Sequence, residues 1–208
     1  MLLSDLIYQT IKGCVWYNRE ISKETLISGT TYQGDIDIGV FVNNIFVAFN
    51  DGFSLAYEQS KISPIILTFK KDEKLECDFN DEVLNVYQEI KKSYYNLDFT
   101  TSNLNEVQLL EEKKDEDGDV FIEIIKALPY LEWSIFSTSG DFDLMEYGIS
   151  NQVCYAISDY VKAKLYYDID ANVAYLKENV ALSRLNSLPD FGNKVAHNQR
   201  EVDVREMI

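Results

Sequence analysis

The chain has little with which to do chemistry. Among its 208 residues are one histidine, three cysteines and three prolines. Cations are scarce too: 19 Lys and Arg face 35 Asp and Glu, a formal net charge of −16. That shortage speaks against sequence-independent DNA or RNA binding, in which Lys and Arg must neutralise phosphates. It speaks equally against attachment to an anionic membrane surface. Cys14, Cys77 and Cys154 lie far apart, their number is odd and no CxxC occurs. Three reduced thiols in a reducing compartment are therefore expected. No leader is visible, because Asp5 interrupts the first apolar run and no basic region precedes it. The densest apolar stretch, residues 38–49, is broken by Asn43 and Asn44 and falls short of about 20 residues of membrane span. The expectation is a soluble intracellular protein without membrane contact, which repels polyanions or imitates one.

Catalytic and metal devices are equally thin. His197 is the only imidazole and sits in a polar C-terminal stretch, where neither packing nor a third group would orient it. Three scattered cysteines and one histidine match no zinc spacing. An EF-hand with Gly118 at its sixth position would put Lys113 at the first and Ile124 at the bidentate position, both wrong for calcium. The acidic pairs Asp35/Asp37, Asp141/Asp143 and Asp168/Asp170 each precede an expected helix, so capping explains them better than acid–base chemistry. No GxxxxGK[ST] and no GxGxxG occurs. No catalytic residue, metal or cofactor is assigned.

What the chain does have is apolar bulk. Hydrophobic residues make up 46% and aromatics 13%, too much for a disordered protein. The length suits one large domain or two small ones. Ser4–Tyr17 reads as a helix capped by Ser4, with Leu6, Ile7, Ile11, Cys14 and Val15 at helical spacing. Residues 18–35 are polar, contain Gly29 and Gly34, and read as loop. Ile38, Phe41, Val42, Ile45, Phe49 and Phe53 follow i, i+3, i+4 spacing, which predicts a long helix from Asp35 or Asp37 to Ser60, stopped by Pro64. A hairpin turning at Asn43-Asn44 is the other reading, but such a turn favours a glycine. A helix so apolar on most of its circumference must be covered by other helices or by neighbouring subunits.

Beyond Pro64 the texture turns to short β-branched and aromatic runs: Ile65–Phe69, Leu75–Phe79, Val83–Ile90, Tyr94–Thr100, Val107–Leu110, Val120–Ala127 and Trp133–Phe136. Lys70–Lys74 and Lys113–Asp119 read as hairpin turns. Val83, Val86, Tyr87 and Ile90 also fit a helical period, so that run is ambiguous. From Gly140 helical texture returns. Ser150 caps a helix bearing Val153, Ile157, Tyr160, Val161 and Leu165. Asp170 caps a second, 171–188, with Val173, Leu176, Val180 and Leu185 as its apolar stripe. So short a link packs the two antiparallel. The predicted class is α+β: a helical bundle of N-terminal (1–63) and C-terminal (140–190) helices, a β-rich insertion (64–139) and an extended tail (191–208).

Three stretches carry a family resemblance. Asp141-Phe-Asp-Leu-Met-Glu-Tyr-Gly-Ile-Ser150 leads into Ala156-Ile-Ser-Asp-Tyr-Val-Lys-Ala-Lys-Leu-Tyr-Tyr167 and then Asp170-Ala-Asn-Val-Ala-Tyr-Leu-Lys177. This order is similar to the C-terminal half of head–tail adaptor (connector, head completion) proteins of tailed phages. Ser4–Tyr17 and the long helix ending near Pro64 resemble that family's N-terminal part. The resemblance implies a structural virion protein without catalytic residues. It implies a ring, usually twelve-fold, between the portal protein and the tail or next connector protein, through which genome DNA passes without specific binding. Localisation would be the virion neck, with host cytoplasm during assembly. Phe41, Ile45, Phe49, Phe53, Tyr160 and Tyr167 are then the candidate subunit-interface residues. Val195, Val202, Val204, Met207 and Ile208 would be the points at which the tail docks on the portal.

Composition allows rivals. An acidic inhibitor, either a DNA-mimic anti-defence protein or an immunity protein against a basic nuclease, fits the charge. A mimic needs carboxylates along one exposed face, whereas here many fall in turns, in residues 72–82 and 111–119. An enzyme of unknown type fits least, given the missing devices.

Overall fold

The computed structural model describes residues 1–14, 17, 20–28, 36–70, 74–75, 81–90, 93–101, 107–110, 118–132 and 134–191. The chain is mixed α+β, with six α-helices and six strands among those residues. It divides into two compact units. Among the described residues, one contains Met1–Ile62 and 129–191; the other contains Ser63–Leu128.

The helical unit begins with α1 (Leu3–Gly13), which buries Leu3, Leu6, Ile7 and Ile11. Ser4 is not its cap: Leu2 holds that position, and Ser4 lies buried inside the first turn. The cap arrives from far along the chain. Asp141 accepts the Ser4 N–H at 3.1 Å and the Ser4 hydroxyl at 2.5 Å. Helix α1 stops at Gly13, not at Tyr17. Residues 18–35 are not all loop, because α2 (Lys23–Ser28) forms behind a Ser22 side-chain cap on the Thr25 N–H. Asp5 of α1 pairs with Lys23 at 2.6 Å.

Helix α3 (Ile36–Glu58) runs through Asn43 and Asn44 as one helix of 23 residues. The hairpin alternative is therefore excluded. Pro64 does not end it. The helix closes at Ser60, whose φ of 53° is left-handed. The Ser60 N–H bonds the Tyr57 carbonyl and the Lys61 N–H bonds the Ala56 carbonyl. Such a double closure satisfies carbonyls at a helix end, usually with glycine at the left-handed site. At this length α3 is long and apolar enough to cross a membrane, so the length argument against a span fails. Val42, Ile45, Phe46, Phe49, Phe53 and Ala56 are nevertheless buried within the chain.

The returning chain docks on α3. Asn50 donates to the Leu131 carbonyl at 2.8 Å and accepts the Leu131 N–H at 2.9 Å. Ile135–Thr138, in the expected strand 133–136, is instead a helical turn, α4, packed against α2. This places 129–139 with the helices, so the sheet unit ends at Leu128 and not at 139. A 3-10 turn (Leu144–Tyr147), capped by Asp143, leads to α5 (Asn151–Leu165) and α6 (Ala171–Asn186). Both expected caps hold: Ser150 accepts the Val153 N–H, and Asp170 accepts from Asn172 and Val173. Helix α5 packs against α6, α3 and α1. Thr10 of α1 and Ser158 of α5 share a buried hydroxyl bond of 2.8 Å.

The sheet unit is antiparallel, in the order β1 (Ile65–Phe69), β6 (Val120–Ile125), β2 (Glu82–Ile90), β3 (Ser93–Asn96). β4 (Phe99–Thr101) and β5 (Val107–Leu109) pair separately, so the expected run 94–100 is two strands. Period-two alternation buries Val120, Ile122 and Ile124 on β6. Ile65, Leu67 and Phe69 pack on the same core from β1. β1 pairs with β6, β6 with β2, and β5 with β4, so among the described strands the expected hairpin at 113–119 does not pair β5 with β6. Residues 71–73, 76–80 and 111–117, which include most of the expected strand 75–79 and its turn, lie outside the described residues. β2 is a strand, but its register to β6 shifts between Val83 and Asn85. That extra residue, Leu84, puts Val83 and Val86 three apart while both face the core.

Candidate interaction surface

Three members of the acidic pairs, Asp141, Asp143 and Asp170, are engaged structurally. Asp141 caps α1 and Asp170 caps α6. Asp143 accepts the Met145 N–H and pairs with the Met1 ammonium at 2.7 Å. Those two donors hold its carboxyl below the usual range. Asp37 sits in the first turn of α3, and Asp35 lies outside the described residues. Burial pushes the Cys14 and Cys154 thiols up to about 12, so neither is a nucleophile at neutral pH. Among the described residues no group of three or more His, Cys, Asp and Glu side chains could hold a metal ion. His197 and Cys77 lie outside the described residues.

The expected subunit-interface residues are mostly committed inside the chain. Ile45, Phe49 and Phe53 are buried, so they cannot meet a neighbour. Phe41 is half-buried and stacks on Tyr17, with ring centroids 3.6 Å apart. The physical reason is that α5 and the rest of the helical unit cover the apolar side of α3, so no second subunit is needed to bury it. Tyr160 and Tyr167 instead help tie α5 to α6. The Lys164 ammonium lies 5.1 Å from the Tyr160 ring centre and 5.8 Å from that of Tyr167. It pairs with Glu178 of α6 at 2.7 Å, and the Tyr167 hydroxyl donates to the same carboxylate at 2.6 Å. Burial alone would raise Glu178, but these two donors bring it below its ordinary value. The tail residues Val195, Val202, Val204, Met207 and Ile208 lie outside the described residues.

The surface open to partners lies elsewhere. Of the expected α6 stripe only Leu185 is buried; Leu176 and Val180 are each 64% exposed. The inward side is made of Ala174, Ala181 and Leu185. Alanines let α5 and α6 approach closely, and this turns the larger side chains outward. Tyr175 joins them at 60% exposure. On α3 the open apolar residues are Val40 and Val47, at 55% and 44%. Sequence reasoning chose the largest residues of each helix. The better signal was the pair of alanines seven apart on α6, which marks a close-packed face.

No family model matches the chain, and no curated protein or solved structure matches it either. The site's own geometry therefore carries the functional argument. It offers exposed apolar helix faces, thiols held protonated and carboxylates engaged as caps.

Proposed function

We propose that the protein is a head–tail adaptor of a tailed phage, a virion protein that forms a ring between portal and tail. The observation that supports this is the α5–α6 hairpin. It falls on the residues that carry the adaptor resemblance, and it leaves Tyr175, Leu176 and Val180 uncovered on a helix that is otherwise well packed. Uncovered apolar side chains grouped on one helix mark a protein contact. In this reading α1, α3, α5 and α6 form the adaptor's bundle and the sheet unit is its insertion. The acidic surplus faces the DNA passage, where it repels phosphates and lets the genome slide without specific binding. Residues 193–208 dock on the portal through Val195, Val202, Val204, Met207 and Ile208. The protein acts in the virion neck after assembly in the host cytoplasm.

The test is a tagged pull-down from the native source with gentle cross-linking, read by mass spectrometry. Portal and tail proteins in the eluate are expected, and a chain shortened after Phe191 should lose the portal. A single basic nuclease with no virion protein would end the adaptor reading and make the acidic surface inhibitory.

A further inference from the structure

The two long helices that pack on α5 carry opposite charge where they face solvent. Helix α3 contains Asp37, Asp51 and Glu58 and no basic residue, and all three are exposed. With Asn44 they recur every seven residues, beside a second such line of Val40, Val47 and Ser54. Residues seven apart lie two turns apart on one helix face. Helix α6 presents the reverse. Its exposed cations are Lys177, 5.1 Å from the Tyr166 ring centre, and Arg184, which is already paired with Asp159 of α5; Lys177 stands beside Leu176 and Val180. Its one acid, Glu178, is turned to Lys164 of α5. An exposed lysine beside exposed apolar residues, on a helix with no exposed acid, stands out in a molecule of net charge −16.

We propose that these faces are the two halves of one interface between copies of this chain. The α6 face of one copy packs on the α3 face of the next. Leu176 and Val180 meet Val40 and Val47, while Lys177 meets the line of Asp51 and Glu58. Charge complementarity selects a second copy as the occupant. Copies of charge −16 repel one another except where a basic face meets an acidic one. Because the two faces differ, the contact is head-to-tail and propagates until rotation closes it into a ring. The contact deepens the ring reading above and rests on it only for closure.

The experiment is sedimentation velocity of the full chain at low and high salt, with Asp51→Lys and Lys177→Glu, alone and mixed. Both positions are exposed, and unchanged melting curves would confirm that the variants fold. The wild type should self-associate at low salt and less at high salt. Each variant alone should associate at least about tenfold more weakly, since like charges then face each other. An equimolar mixture should recover association, because each reversed face again finds its opposite. Val47→Asp and Val180→Asp should weaken association without rescue on mixing, and they replace any charge variant that fails to fold. A wild type that stays monomeric at low salt, or charge variants that associate normally or do not rescue each other, overturns the proposal. Portal capture is scored separately. Capture without self-association would remove this interface and leave the adaptor; self-association without capture would do the reverse.

Discussion

Gly52 of α3 lies against Ile157 of α5 so closely that a Cβ there would sit 2.8 Å from Ile157 Cγ2. This branch carbon is fixed to a stiff β-branched side chain and cannot swing aside. Gly52→Ala gains about 1 kcal/mol of helix propensity but forces the helices apart at a cost of about 1–3 kcal/mol. The net expectation is a loss of stability in denaturant unfolding. Ile157→Ala should cost less in the Gly52→Ala background than in the wild type. Additive costs in that double-mutant cycle would show that the two residues do not clash.

Asp170 should matter more than its exposure suggests. It accepts two backbone N–H groups, from Asn172 at 3.0 Å and Val173 at 3.1 Å. Asp170→Ala should cost about 1 kcal/mol, while Asp170→Asn or Asp170→Ser should recover most of it. Chemical denaturation of the three variants decides the point. Equal losses in all three would assign the effect to charge and not to capping.

Lys61 is buried, and its ammonium reaches the Leu188 carbonyl at 2.9 Å and the Asn186 carbonyl at 3.4 Å. It thus closes the C-terminus of α6, where a cation also suits the helix dipole. Lys61→Met keeps the apolar stem and removes the donor. A loss of about 1–2 kcal/mol is expected. Hydrogen exchange should rise in residues 183–188 and not in α1.

The Cys14 and Cys154 thiols should resist alkylation at neutral pH in the folded chain and react once it unfolds. Labelling followed by peptide mass spectrometry reads this directly. The folded-state value of about 12 lies above the unfolded value of 9.0 for both thiols. Their protonated form is favoured in the fold, so their contribution is complete below pH 9 and is lost as pH rises toward 12. Stability should fall across that alkaline window, and Cys154→Ala should flatten the fall. Rapid native labelling at either thiol would contradict their burial.

Much of the local structure was legible because it depends on near neighbours. The period of α3, the Ser150 and Asp170 caps and the alternation along β6 are local rules. The places where reading failed involve residues far apart in sequence. Ser4 looked like a cap, yet Asp141 does that work from 137 residues away. Val83 and Val86 mimicked a helical period because Leu84 is a bulge defined only by its partner strand. The pairing of β1 with β6 was hidden for the same reason, since the two strands come from opposite ends of the sheet unit.

The candidate surface divides in the same way. Sequence alone determined that the molecule is acidic, poor in catalytic groups and rich in amphipathic helices. It could not decide which apolar side chains the chain itself would cover. Tertiary packing made that choice. Phe49 and Phe53 went inward because α5 offers a close face at Ile157, whereas Leu176 and Val180 stayed outside because Ala174 and Ala181 fit nearer to α5. Which face of an apolar helix remains free depends on shape between elements distant in sequence, and periodicity carries no record of that.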